Sequence, residues 1–527
     1  MPFPLISTII FLPLIGALVA MLVPTTRAVK WVALLTTTIT FFISILLLTG
    51  FDAALDPSKP QFAEVFRWLP GLDVKYFVGV DGLSLLLVLL TTLIGPIVVL
   101  SSWTYIHAQE RGYYTLLLIL QAGVTGVFTS LDLILFYIFF ELTLIPMYFI
   151  IGIWGGENRI YAAAKFVIYT LVGSLLMLVA IIYLGFAAGD VVNGGVFTTD
   201  WYKLLLFDIP MGTQTWLFLL FALAFAIKVP LFPLHTWLPD AHVQAPTGGS
   251  VILAGVLLKM GTYGLVRFCL PLFPDAAQKY ALLFAVLAVI GIIYGALVSR
   301  VQPDAKKLIA YSSVSHLGFV VLGIFAFTAE ALQGSIIQMI NHGLSTGALF
   351  LIIGMLYERR HTRLMADYGG IARVVPVLTF FMVFSVLASA GLPGLNGFVG
   401  EFLILLGSFA SPVIGYPVLI ALATTGVILA AVYLLWLLYR MFFGPISGEA
   451  NETMRDLNFR EVGLLLPLVV LMFLMGFWPR PFLAISEPSA RFILETVENK
   501  RMAGAVEQQS PAPPVTPVHH EASNVHP

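Results

Sequence analysis

Long runs of apolar residues most constrain what this chain can fold into. A helix needs roughly 20 mostly apolar residues to cross the hydrocarbon core of a bilayer. Because lipid offers no hydrogen bonds to the backbone, such a run must be helical there. The chain is therefore predicted to be an all-α polytopic membrane protein with about 14 transmembrane helices. The predicted spans are residues 4–23, 30–50, 78–103, 113–129, 131–153, 163–188, 214–234, 246–270, 279–299, 306–327, 331–356, 375–406, 412–443 and 461–481.

Composition and cysteine content exclude several classes of function. The chain is 59% hydrophobic and 10% charged, whereas soluble domains are about a quarter charged. Its net charge of −1 gives no reason to expect a nucleic-acid partner. Cys269 is the single cysteine, which excludes an intrachain disulfide and a multi-cysteine iron–sulfur or zinc site. The first apolar run lacks a basic leader and a cleavage site, so we expect a membrane span rather than a signal peptide.

The distribution of lysine and arginine predicts the orientation in the membrane. With the N-terminus outside, the loops that face the cytoplasm carry about twice as many of these residues as the opposite loops. Because positively charged loops stay on the cytoplasmic side, both termini are predicted to lie outside the cytoplasm. The tail at 503–527 is rich in proline and poor in large apolar residues, so we expect it to be disordered.

Two of the predicted spans contain helix-breaking residues. Lys228 is followed by Pro230 and Pro233, and a later span contains Pro393 and Gly394. A proline removes a backbone N–H and clashes with the carbonyl four residues earlier. Backbone groups freed in this way persist in a membrane only where protein or a water-filled cavity satisfies them. Both segments are therefore predicted to be broken helices.

The two breaks indicate an internal repeat. Aligning Pro230 with Pro393 places span 4 on span 9 and span 8 on span 13. Each unit then has an odd number of spans, five, so the second copy enters the membrane inverted, as in secondary transporters and ion translocators. The predicted organisation is a three-helix segment at 1–107, antiporter-like repeats at 108–270 and 271–443, span 14 with its flanks at 444–502, and the tail at 503–527.

Six ionisable residues inside predicted spans are candidates for ion transport. A lone charge near the bilayer centre costs about 2.5–3.5 kcal/mol, so these side chains should face the protein interior and have partners. Glu141 and Lys228 form the predicted opposite-charge pair. Acids, lysines and histidines on separate spans would form a line, which favours a proton relay over a static polar clamp between helices. The six are Glu141, Lys228, Lys259, His316, His342 and Glu401.

Other polar residues have weaker functional cases. Asp132 suits a helix N-cap better than a proton-uptake role, and Asp81 is expected at the membrane interface. Lys165 either extends toward the cytoplasmic face or lengthens the polar line. Interface anchoring or loop ordering is favoured over a metal site for three residues near Trp237, at a predicted helix end: His235, Asp240 and His242.

The sequence contains no motif for electron-transfer cofactors. A strand–GxGxxG–helix unit and a phosphate-binding loop are both absent from the sequence. We therefore predict neither a nicotinamide site of the Rossmann type nor an iron–sulfur site on this chain. If the chain belongs to a redox assembly, electrons move through other subunits.

Five segments resemble the antiporter-like subunits of proton-pumping NADH:quinone oxidoreductase (respiratory complex I). They are FELTLIPM at 140–147, KVPLFPLHTWLPDAH at 228–242, LKMGTYG at 258–264, YSSVSH at 311–316 and GLPGLNGFVGE at 391–401. The resemblance covers about residues 1–490, and the segment at 228–242 is highly specific to this superfamily. Two features separate the chain from the subunit L and N branches. Subunit L has a long lateral helix after span 14, and none is expected in this chain. Glu401 stands where both subunits carry lysine.

The resemblance implies a role for each candidate residue. Glu141 and Lys228 would be the coupled ion pair, and Lys259 the central relay residue. Glu401 would be the terminal proton-exchange acid. The remaining relay members implied by the resemblance are His316 and His342.

The resemblance also implies the surroundings of the chain. It would be a proton-translocating subunit in the membrane arm, next to L- and N-type subunits and lipid, while NADH, FMN, iron–sulfur clusters and quinone bind elsewhere. No cofactor or metal is expected on this chain. A bacterial inner membrane is favoured, with the mitochondrial inner membrane as the alternative. Two other functions remain open: a large subunit of an Mrp-type sodium/proton antiporter, and a purely structural subunit.

Overall fold

Helices form most of the structure, a computed structural model that describes residues 4–69 and 71–509. Twelve helices in this part of the chain are long and apolar enough to cross a membrane. The shorter helix Leu85–Ser101 and the pair Pro376–Ser389 and Asn396–Phe409 account for the other two predicted spans. The predicted all-α polytopic membrane fold is confirmed.

The N-terminal segment contains three helices and a β-hairpin that was not predicted. The two strands are antiparallel. The prediction of helix from residue 78 was wrong, because the apolar residues of the second strand run on into the third helix and hydropathy alone does not separate the two. The elements are α1 (Leu5–Leu22), α2 (Thr26–Gly50), β1 (Gln61–Arg67), β2 (Lys75–Val80) and α3 (Leu85–Ser101).

The first predicted repeat contains eight helices in the described structure. Asp132 begins the second of them: its carboxylate accepts the amides of Ile134 and Leu135 at 3.0 and 3.2 Å, as the N-cap prediction required. The last helix contains two π-helical turns, Leu253–Leu257 and Leu265–Cys269. The elements are α4 (Glu110–Thr129), α5 (Leu133–Leu142), α6 (Leu144–Trp154), α7 (Arg159–Val192), α8 (Trp201–Leu205), α9 (Met211–Lys228), α10 (Trp237–Gln244) and α11 (Thr247–Leu272).

The second predicted repeat begins with a short helix and ends with a long one. The domain boundaries stay predictions, although α11 continues past the proposed boundary at residue 270. The elements are α12 (Pro274–Lys279), α13 (Ala281–Arg300), α14 (Ala305–Ile324), α15 (Ala329–Arg360), α16 (Pro376–Ser389), α17 (Asn396–Phe409) and α18 (Pro417–Phe442).

Three helices form the buried centre of the molecule. The apolar windows of α11 and α15 are wholly buried and that of α14 nearly so, whereas α1, α2, α18 and α20 (Phe459–Phe477) leave much of their apolar surface exposed. The central helices carry Lys259, His316 and His342. Ionisable side chains inside a membrane need protein around them, and this centre provides it.

The last helix in the described part of the chain was not predicted by hydropathy. α19 (Glu449–Glu452) and α20 precede α21 (Arg480–Gln509). The Gly82 amide donates to Ser489 Oγ of α21 at 3.0 Å, and Gln333 Nε2 of α15 donates to the Leu483 carbonyl at 3.0 Å. α21 thus connects the N-terminal segment to the second repeat. It also extends to Gln509, past the predicted start of the tail, while residues 510–527 lie outside the described part of the chain.

Candidate functional site

The first break lies where the two prolines predicted it. Helix α9 ends at Lys228, and helix resumes only at Trp237. The Trp237 indole N–H donates to the Ile227 carbonyl at 2.9 Å, so it satisfies a backbone group at the helix end. The break is therefore held by protein contacts inside the bundle, as backbone in a membrane requires.

Lys228 is buried at this break and Glu141 is half-buried nearby, but no hydrogen bond or salt bridge joins them. Lys228 Nζ lies 5.1 Å from the centre of the Phe140 ring and 5.5 Å from that of Phe166. Among the described residues, neither Lys228 Nζ nor Glu141 Oε1 has a hydrogen-bond partner. No salt bridge joins the predicted pair in this structure, in which two aromatic rings lie against the ammonium group. The electrostatic coupling of the two charges stays a prediction.

Lys259 lies in the middle of the buried helix α11 and contacts a histidine. Its Nζ donates to the Ala254 carbonyl in the preceding π-helical turn and lies 2.7 Å from His342 Nδ1 on α15. Both side chains are buried. Lys259 and His342 therefore form a hydrogen-bonded pair through which a proton can pass.

His316 lies between this pair and Glu401. His316 Nδ1 lies 2.9 Å from Glu401 Oε1, and its Nε2 lies 3.0 Å from the Tyr433 hydroxyl. The rings of His316 and His342 are 6.1 Å apart, centre to centre. Four of the six candidates therefore form a line of two hydrogen-bonded pairs, separated by the space between two imidazoles.

The second break precedes Glu401 by a few residues. Helix α16 ends at Ser389 and α17 begins at Asn396. Gly391 and Gly394 adopt φ values of +76° and +93°, which side chains with a Cβ rarely adopt. The predicted break at Pro393 is confirmed, and glycine is required there by the backbone.

Comparison with known proteins identifies the family to which the chain belongs. Residues 130–431, which include both breaks and all six candidates, match the family profile described as NADH:quinone oxidoreductase/Mrp antiporter, TM. NADH-quinone oxidoreductase subunit M of Rhodobacter capsulatus is 46% identical, with 93% of this chain and 96% of that protein covered. The chain belongs to the NADH:quinone oxidoreductase/Mrp antiporter family, in its subunit M branch. NADH-ubiquinone oxidoreductase chain 4 of Marchantia polymorpha is 41% identical, with 93% and 97% covered.

Solved structures of this family share the fold. A chain of respiratory complex I from Thermus thermophilus superposes with a TM-score of 0.84 at 34% identity, with 93% of this chain and 99% of that chain covered. A chain of the Mrp complex from Dietzia superposes with a TM-score of 0.80 at 19% identity, with 95% and 99% covered. The second similarity shows the fold alone.

The structure adds to the site polar residues that the sequence analysis did not predict. Tyr433 contacts His316, and Gln338 Nε2 donates to Glu401 Oε1 at 3.2 Å. Asn341 and His342 lie three and four residues after Gln338, so both lie on the same face of α15 as Gln338. That spacing was a usable signal, since polar residues are otherwise sparse in a predicted span.

His242 is more deeply buried than the interface or loop position that the sequence predicted for it. It is wholly buried, its ring stacks on Phe350 at 4.5 Å, and in the described structure neither ring nitrogen has a hydrogen-bond partner. Asp240, two residues earlier, pairs with Lys165 at 2.7 Å, so Lys165 anchors α10 rather than lengthening the line. Within residues 4–69 and 71–509, no group of three or more potential ligands could hold a metal ion.

Asp81, which is expected at the membrane interface, is paired with an arginine inside the protein. Both of its carboxylate oxygens accept hydrogen bonds from Arg267 Nη2, at 2.7 and 2.6 Å. Arg267 lies in the second π-helical turn of α11 and is buried against Trp201. The pair joins the segment before α3 to the helix that carries Lys259.

An ion network lies at the start of α5, just before the membrane span Leu133–Trp154 of the structure. Lys75 Nζ contacts Asp200 at 2.7 Å and Asp73 at 3.4 Å. Lys203 Nζ contacts Asp73 at 2.7 Å, and hydrogen bonds and nearby lysine charge lower the pKa of Asp73 although burial acts to raise it. Burial raises the pKa of Asp132 to about 6, against the hydrogen bonds that it accepts.

Proposed function

We propose that the chain is a non-redox, proton-translocating subunit in the membrane arm of an NADH:quinone oxidoreductase. The observation that supports this proposal is the buried line Lys259–His342 and His316–Glu401, with contacts of 2.7 and 2.9 Å. A static clamp would hold opposite charges together. Lysine and histidine carry no opposite charges, and their contact requires an unprotonated nitrogen to accept the hydrogen bond.

Proton transfer along this line would need one step between the two pairs. Lysine and imidazole nitrogens exchange protons across hydrogen bonds. His342 Nε2 is buried without a hydrogen-bond partner in the described structure, so it can accept a water molecule or turn toward His316. Glu401, beside the second break, would be the terminal exchange acid.

Glu141 and Lys228 would be the input to the line. Their charges lie in a poorly hydrated environment, where Coulomb interactions are much stronger than in water. A neighbouring subunit that moves α5 would change their separation. That change would alter the electrostatic potential along the line and move a proton between Lys259 and its partners.

The same proposal places the chain in its assembly. Neighbours of the L and N types would contact its lipid-exposed faces, and NADH, FMN, iron–sulfur clusters and quinone would bind other subunits. A bacterial inner membrane with both termini outside the cytoplasm fits the lysine and arginine distribution. A mitochondrial inner membrane is the alternative.

Substitution of Lys259 in the assembled complex tests the proposed function. Lys259→Met keeps much of the side-chain volume but removes the amine, so protons pumped per NADH oxidised should fall severely. Lys279→Met, on the exposed end of α12, is the matched lysine control and should leave the ratio unchanged. Pumping is measured in sealed vesicles, together with NADH oxidation and complex content. Normal pumping by Lys259→Met would refute the proposal, and loss only when sodium is removed would favour sodium/proton exchange.

A further inference from the structure

Two amide side chains on α15 connect the second break to Glu401. Asn341 Nδ2 donates to the Asn396 carbonyl at 2.7 Å and to Gln338 Oε1 at 3.0 Å. Gln338 Nε2 then donates to Glu401 Oε1 at 3.2 Å. Asn396 is the first residue of α17, so the chain of hydrogen bonds runs from the end of the break to the candidate terminal acid.

The direction of these hydrogen bonds is set by a backbone group. The Asn396 carbonyl can only accept, so Asn341 must present its NH₂ group to it. The same NH₂ group requires an acceptor on Gln338, which turns the Gln338 carbonyl toward Asn341. The Gln338 NH₂ group therefore points at Glu401, where it stabilises the carboxylate rather than the protonated acid.

Helix α17 lies too close to α15 for these amides to be loosely placed. A Cβ built on Gly400 of α17 would overlap Gln338 Oε1 and come within 3.0 Å of Asn341 Nδ2. All four residues of this hydrogen-bonded series have buried side chains: Gln338, Asn341, Asn396 and Glu401. In this part of the structure, the other Glu401 oxygen has no hydrogen-bond partner. Gln338 Nε2 and His316 Nδ1 are therefore the two polar groups that contact this carboxyl group in the described structure, both at Oε1.

We propose that Gln338 and Asn341 are positioning residues that make the proton affinity of Glu401 depend on the geometry of the second break. The inference rests on the proposed function and deepens it. If the start of α17 moves away from α15, Asn341 loses the acceptor that orients it. The Gln338 amide can then rotate and present its carbonyl to Glu401. A carbonyl hydrogen-bonds only to the protonated acid, so the movement changes a group that favours proton release into one that favours proton uptake.

Other titratable groups face Glu401 from the helices packed around it. His316 of α14 is its direct partner, and His342 of α15 lies behind His316. Tyr433 of α18 contacts the far side of His316. Helix α16 carries no titratable residue, and those of α20 lie in its first turn, where Glu461 pairs with Arg359. The histidines are common to all variants below, so a difference between variants reports the amides.

The test measures the pH dependence of proton pumping in the assembled complex. Gln338→Met removes the donor, so the acid limb of the profile of protons pumped per NADH should move to higher pH by about one unit, a roughly tenfold change in proton affinity. Gln333→Met, one turn away on α15, removes a glutamine that contacts Leu483 instead and should leave the profile unchanged. The inference would be overturned if both variants kept the pH profile of the parent complex, or if Gln338→Met and Gln333→Met shifted it equally.

Asn341→Leu carries the same test without touching Glu401. It frees the Gln338 amide to rotate, so the profile should shift in the same direction. A parent-like profile for Asn341→Leu in assembled complex would overturn the role of the break. Glu401→Gln separates the two levels of argument. Loss of pumping in Glu401→Gln together with parent profiles for the amide variants refutes only the inference, whereas normal pumping in Glu401→Gln counts against the proposed function itself.

Discussion

Breaking the buried pair of Asp81 and Arg267 should destabilise the subunit far more than breaking an exposed pair. The Arg267 side chain is 2% exposed and the Asp81 side chain 14%, and two hydrogen bonds of 2.7 and 2.6 Å join them. Removing one partner of a buried pair leaves an uncompensated buried charge, which costs about 3–5 kcal/mol. Asp81→Asn and Arg267→Met should therefore each lower the free energy of unfolding by about that amount.

The double variant separates the pair from its surroundings. Asp81→Asn with Arg267→Met leaves no isolated buried charge, so most of the loss should be recovered, to within about 1–2 kcal/mol of the parent. The measurement is a double-mutant cycle in which the free energy of unfolding of this subunit is determined in the detergent-solubilised complex. Arg491 and Glu487 form an exposed i,i+4 pair, with side chains 63% and 46% exposed. Arg491→Met should change stability by less than about 0.5 kcal/mol.

A small cost for Asp81→Asn would refute this reasoning. If that variant loses less than about 1 kcal/mol, the arginine has another route to compensation, and the calculation from burial is wrong. Additive losses in the double variant would show that the two side chains contribute independently.

Three further predictions test other parts of the structure. Lys306 Nζ donates to the Ala245 carbonyl, just after the end of α10, at 2.5 Å, so Lys306→Met should cost about 1–3 kcal/mol, whereas Lys307→Met should stay within about 0.5 kcal/mol in the same unfolding assay. Gly126→Ala places a Cβ inside the Phe139 ring and should cost about 1–3 kcal/mol through overpacking. Because the pKa of Asp132 is raised from 3.8 to about 6, the folded chain binds a proton there that the unfolded chain has released. Its contribution is complete below 3.8 and lost as pH rises through about 6, at about 1.4 kcal/mol per pH unit, and Asp132→Asn should flatten this slope.

Much of the fold could be predicted from the sequence because the membrane limits the choices. Apolar runs must be helical in lipid, so the crossing segments follow from hydropathy. The breaks at Pro230 and Pro393 follow from proline geometry. β2 escaped this reasoning because its apolar residues run on into α3, and α21 (Arg480–Gln509) escaped it because that helix is not a long apolar run and is held by contacts with distant parts of the chain.

The candidate site could be predicted only in part. A buried ionisable residue within a span is visible in the sequence as an exception to apolar composition, which identified Lys259, His316, His342 and Glu401. Which of them touch each other is not visible, since partners on different helices lie many residues apart. The pairing of Glu141 with Lys228 stays a prediction for that reason, since no salt bridge joins them in this structure.

The sequence by itself determined that this chain crosses a membrane many times, breaks two of its helices, and carries charges where lipid would not tolerate them. Local rules suffice for these conclusions, because every unsatisfied backbone group and every lone charge is energetically unfavourable in hydrocarbon. Only the tertiary structure decided that Lys259 meets His342, that His316 meets Glu401, and that Asn341 and Gln338 connect the second break to that acid. These contacts depend on how closely α11, α14, α15 and α17 pack. A displacement of an ångström or two, which no sequence pattern records, would remove each of these hydrogen bonds.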